Sequence, residues 1–93
     1  MSGLEIVYEA VNEINSQVAE EDKIELSSGT PLMSDGSKVD SLQLITLLGE
    51  VELLVEKHLG KSIVLVDEAV FSASEKPLST LGSLANYVDK LVA

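Results

Sequence analysis

A chain of 93 residues makes one small domain, 1–93, with room for a modest core but not for a deep cleft that encloses a substrate. Sixteen acidic against six basic residues give a net charge of −10, which repels nucleic acid and anionic membrane surfaces and favours encounter with basic partner proteins. With no cysteine and a single histidine, His58, the chain offers no disulfide, no thiolate chemistry and none of the usual zinc ligand sets.

Hydrophobic residues make up 45% of the chain and aromatics 3%, so a packed core has to be built from Leu, Val and Ile. No uninterrupted apolar run is long enough to span a bilayer, and Met1–Glu5 carries no basic region. A soluble, cytoplasmic monomer is expected.

In chain order, Ser2 and Glu5 form a Ser-x-x-Glu capping box, and Leu4, Val7, Val11, Ile14 and Val18 recur at spacings of three and four, which predicts an amphipathic helix over about residues 3 to 20. From Glu21 to Val39 the periodicity gives way to turn residues, Ser27-Ser28-Gly29-Thr30-Pro31 and Ser34-Asp35-Gly36-Ser37. A connection this long needs pinning, and Ile24, Leu26, Leu32 and Met33 are the expected pins. A calcium loop starting at Asp35 fails, because Asp40 falls where that loop requires Gly and no acidic residue falls at its last position.

Asp40 then precedes an apolar run as a helix cap does, which makes Ser41 the first residue of a helix that runs to about Leu59 and stops at Gly60. Wound at roughly 100° per residue, Leu44, Leu47, Leu48, Val51, Leu54 and Val55 gather on one core-facing side. Leu42, Ile45 and Leu53 fall on the other, beside Ser41, Gly49, Glu52 and Glu56. An apolar group ringed by carboxylates and kept out of the core reads as a docking surface. Gly49 costs a helix interior on the order of 1 kcal/mol relative to Ala, a reason to expect a close approach at that point.

Ser62–Val66 reads as an extended connector packed on the bundle. Asp67 caps a short helical turn, Glu68–Phe71, with Phe71 plugging the core. Ser72–Pro77 is loop. Thr80 caps a last helix that turns Leu81, Leu84, Ala85, Val88, Leu91 and Val92 inward, with Tyr87 at its edge. The predicted architecture is all-α, three longer helices and a short one, with a long first loop.

Catalytic motifs are absent: no Walker or dinucleotide glycine loop, no Gly-x-Ser-x-Gly elbow, no His-Glu-x-x-His. The one base candidate for Ser41 is His58, about five turns away along the same helix. An enzyme is not expected. A serine hydroxyl at a helix start has another use, because the amides and dipole of that end favour an attached phosphate.

Asp40-Ser41-Leu42 at the head of an apolar helix, after a Gly-containing loop and before a short helix and Leu81-Gly82-Ser83-Leu84-Ala85-Asn86-Tyr87-Val88, resembles the acyl carrier proteins over essentially the whole chain. The resemblance implies an acyl-carrier-like four-helix bundle with 4′-phosphopantetheine transferred from coenzyme A to Ser41. Acyl groups would ride on its thiol as thioesters, for fatty acid, lipid or polyketide-type biosynthesis. It further implies a phosphopantetheinyl transferase as partner, with Asp40 as the motif aspartate that helps hold magnesium in that complex. Acyl-activating and acyl-transferring enzymes with basic patches would dock on Leu42, Ile45, Gly49, Glu52 and Glu56.

The chain departs from the carriers of fatty acid synthesis at Gln43 and Thr46, where many have acidic residues. Its second helix is about a turn longer, and Gly36 is separated from the motif by Ser37-Lys38-Val39. These differences point to a specialised, freestanding carrier. A peptidyl or aminoacyl carrier uses the same serine with other cargo, and an unmodified helical interaction module would use only the apolar patch.

Overall fold

The structure, a computed structural model, describes residues 2–33, 39–71 and 76–93. Helix α1 spans Gly3–Asn15, α2 Ser41–Leu59, α3 the single turn Glu68–Phe71, and α4 Leu81–Val92, with a 3-10 turn at Glu20–Asp22. Only α1, α2 and α4 are longer than a turn. One antiparallel bridge joins Pro31 and Thr80, and the described residues contain no strand. The protein is all-helical. The Asp35 turn and residues 72–75 of the later loop lie outside the described residues.

α1 begins with the capping box. The Ser2 hydroxyl accepts the Glu5 amide at 3.2 Å and the Glu5 carboxylate accepts the Ser2 amide at 3.1 Å. The Ser2 backbone hydrogen bond, followed by that from its hydroxyl, holds the Glu5 carboxyl below its ordinary value. A depressed acid contributes stability above its unfolded pKa and loses it as pH falls through the folded one. Helix α1 buries Ile6, Val7, Ala10, Val11 and Ile14 against both α2 and α4.

α1 ends at Asn15, short of the predicted residue 20. The Asn15 side chain pairs with the backbone of Ile24, donating to its carbonyl at 2.9 Å and accepting its amide at 2.8 Å. The Ser16 hydroxyl donates to the Glu13 carbonyl at 2.6 Å and the Gln17 amide to Ile14 at 3.0 Å. A side chain that bonds to backbone competes with helix continuation, so Val18 is half-buried in a loop.

Of the expected pins of that loop, Ile24 and Leu32 are buried, whereas Leu26 and Met33 are exposed. Hydrogen bonds to the head of α4 hold the loop instead: Leu32 to Ser79 at 2.8 Å, Met33 to Leu78 at 3.0 Å, Leu81 to Thr30 at 3.0 Å and Gly82 to Ser28 at 2.8 Å, amide to carbonyl in each case. The last brings two backbones so close that a Cβ on Gly82 would lie 2.8 Å from the Ser28 carbonyl oxygen.

Thr80 caps α4, with Ser83 returning the bond to the Thr80 amide. Leu81, Leu84, Ala85 and Val88 are buried and Tyr87 is half-buried as predicted, but Leu91 in the last turn is exposed. In the connector Leu65 is buried while Val64 and Val66 face solvent. Phe71 does not plug the core: it is 37% exposed, and Val70 is buried in its place. Neighbours on one helical turn point about 100° apart, so burying Val70 turns Phe71 outward.

Gly82→Ala is expected to cost about 1–3 kcal/mol in a urea melt, since backbone has to move to admit the methyl. Asn15→Ala is expected to cost about 1–3 kcal/mol by stranding the Ile24 amide and carbonyl.

Candidate functional site

Asp40 and Ser41 sit where the first loop meets α2. Asp40 has extended backbone, and its carboxylate accepts the Gln43 amide at 2.7 Å while its carbonyl accepts the Leu44 amide at 2.9 Å. Ser41 follows as the first helical residue and is exposed. No hydrogen bond among the described residues engages its hydroxyl. Like those of any helix, the first amides of α2 lack acceptors within the helix. A reachable hydroxyl is therefore placed at the positive end of a nineteen-residue helix.

The rotation of α2 is fixed by its opposite side. Leu44, Leu47, Leu48, Val51, Leu54 and Val55 are buried, and Gly60 closes the helix at φ +65°. Leu42 is left 74% exposed, Ile45 44% and Leu53 62%. Gly49 lies on the same outer surface with no atom within 4 Å of where a Cβ would stand. The close approach expected there is not made by any described segment of this chain.

Glu56 is exposed. Glu52 is half-buried, and its carboxylate accepts the amides of Leu65 and, at 3.1 Å, Val66. Gln43 and Thr46 are also committed to the chain's own backbone. The Gln43 side-chain amide donates to the Asp22 carbonyl at 3.3 Å, tying the 3-10 turn to α2, and the Thr46 hydroxyl donates to the Leu42 carbonyl at 2.9 Å. A glutamate at 43 has no hydrogen to donate at neutral pH.

Two open grooves flank the Asp40-Ser41 corner. One, of about 360 Å³, brings Ser41 beside Leu32, Met33, Val39, Leu44, Ile45 and Phe71. The other, of about 380 Å³, is more polar and lies between Ile14, Gln17, Val18, Asp22, Leu42 and Gln43. Met33 and Phe71 belong to the first groove's wall because they failed to enter the core; nothing in their local sequence marks them for it.

His58 pairs with Glu9 at 2.8 Å near the far end of α2, remote from Ser41. No group of three or more metal-ligating side chains occurs among the described residues, and no described helix is long and apolar enough to cross a membrane. Comparison with family models, with curated proteins and with solved structures gave no match.

Asp40→Ala is expected to lower stability by about 1 kcal/mol through loss of the cap, with Asp40→Asn near wild type. Gly49→Ala is expected to raise it by about 1 kcal/mol, as helix propensity gains and no steric cost opposes it; both are read from urea midpoints at constant m-value.

Proposed function

We propose that this protein is an acyl carrier, bearing 4′-phosphopantetheine on Ser41 and handing acyl groups between partner enzymes. The observation that carries the reading is the exposed hydroxyl of Ser41, engaged by no hydrogen bond among the described residues, at the capped start of α2. The residues suit the group. A phosphodiester on that oxygen would lie beside the first turn of α2, at the positive helix end. The Asp40 carboxylate, held against the Gln43 amide, would oppose it, which a magnesium ion in the transferase complex would offset.

When attached, the arm supplies a thiol, the reactive group that a cysteine-free chain lacks. The chain's own residues bear, display and deliver it. On this reading α3 completes an acyl-carrier-like four-helix bundle, and the protein works in the cytoplasm. Leu42 and Ile45 supply apolar contact for partners, Gly49 admits a bulky side chain to the helix surface, and Glu56 with Glu52 adds the acidic rim. The charge of −10 steers basic patches toward it.

Leu42 and Leu53, each mostly exposed, also suit a plain helical interaction module in which Ser41 is only the residue after a cap. The two readings part at the hydroxyl. Incubated with coenzyme A and a broad-specificity phosphopantetheinyl transferase, the protein is expected to gain the mass of one phosphopantetheine and to become reactive to a thiol reagent. Ser41→Ala should gain neither. A protein unchanged in mass after treatment with several such transferases would leave the interaction module standing. Transfer should also slow as salt rises from low ionic strength to about 0.5 M, because the charges that guide the encounter are exposed.

A further inference from the structure

Between α2 and α3 the chain crosses an extended connector with no strand partner among the described residues, and α3 itself is a single turn, Glu68–Phe71. Leu65 and Val70 are buried, and the Val70 and Phe71 amides turn back onto the Asp67 carbonyl at 3.0 and 3.3 Å. A polar tie to the body of the protein comes from Glu52, whose one carboxylate oxygen accepts both the Leu65 and the Val66 amides. Hydrogen bonds to a charged acceptor are about twice as strong as neutral ones.

The segment so held ends in Phe71, which walls the groove that contains Ser41, Leu44 and Ile45. Glu52 is three turns along α2 from Ser41, too far to touch it, yet the same side chain sets where the opposite wall stands. We propose that Glu52 is a positioning residue: its carboxylate latches the Leu65–Val66 backbone onto α2 and thereby holds the Phe71 wall of the groove beside Ser41. Its charge is spent inward as well as on the acidic rim. The latch rests on the two hydrogen bonds, and its use for a cargo or arm at Ser41 rests on the carrier reading.

Amide hydrogen exchange followed by NMR on the full chain tests it, for wild type, Glu52→Ala and Glu52→Gln. In Glu52→Ala the Leu65 and Val66 amides should exchange about tenfold faster or more, with the Ile45 and Leu44 methyl shifts moving as the Phe71 ring leaves. Glu52→Gln, which keeps an acceptor oxygen without the charge, should restore most of both. The Val7 and Val88 amides, in the core between α1 and α4, should change by less than about twofold. Unchanged exchange at Leu65 and Val66 overturns the proposal, as does a rise of equal size at every site, which is loss of global stability. If Glu52→Ala does not fold, Glu52→Leu, which keeps side-chain bulk on the helix but has no acceptor, takes its place: faster exchange at Leu65 and Val66 only supports the latch, and wild-type exchange or a uniform rise overturns it. Phosphopantetheine transfer to wild-type Ser41 is scored separately, so that its failure removes the carrier reading and leaves the exchange result to judge the latch.

Discussion

Burial of one side of α2 is the constraint from which the rest of the molecule follows. A helix is a stiff cylinder whose side chains are locked in rotation relative to one another, so placing Leu44, Leu47, Leu48, Val51, Leu54 and Val55 inside leaves no choice for the remainder. Leu42, Ile45, Gly49 and Leu53 have to face out, and Ser41 has to stand at the tip. α1, packed against both α2 and α4, enforces that rotation with an almost purely aliphatic contact. Turning α2 to hide Leu42 and Leu53 would expose a greater number of Leu and Val side chains now buried, at roughly 1.5–3 kcal/mol for each.

What could be read from the sequence was what is decided locally. The limits of α2, its Asp40 cap and Gly60 stop, and the starts of α1 and α4 depend on a side chain and backbone amides within a few residues, and all of these agree with the structure. What was misread depends on distant partners. Asn15 ends α1 early by bonding to Ile24, nine residues on, and nothing in the periodicity of residues 3 to 18 announces it. Phe71 was expected inside because it is large and aromatic, but a one-turn helix can bury only one of two neighbours, and Val70 fills the space. Met33 and Leu26 stay outside because backbone pairing with residues 78–82 already holds their loop. The Asp40-Ser41 corner was local and hence legible, whereas Met33 and Phe71, its groove neighbours, were not.

Gln43, Thr46 and Glu52 show how one helix divides its polar residues between partners and self. Gln43 donates to the first loop and Glu52 accepts from the connector, so α2 fastens a segment on either flank with side chains of opposite hydrogen-bonding sense. Thr46 likewise donates to the chain's own backbone, at the Leu42 carbonyl. With no matching family, curated protein or solved structure, the functional reading stands on the Asp40-Ser41-Leu42 corner and the pattern of helices around it.

The Asp89 carboxylate takes the Gly3 amide at 2.7 Å, and the Lys61 ammonium reaches the Val92 carbonyl at 2.5 Å. The first turn of α1, the last turn of α4 and the C-terminal end of α2 thus meet at one pole. Ser41 occupies the opposite pole, about 27 Å away along the α2 axis. A fluorophore, a resin linkage or a fusion domain joined at Ser2 or Ala93 would consequently sit at the antipode of the hydroxyl, leaving that corner open to any enzyme brought to it.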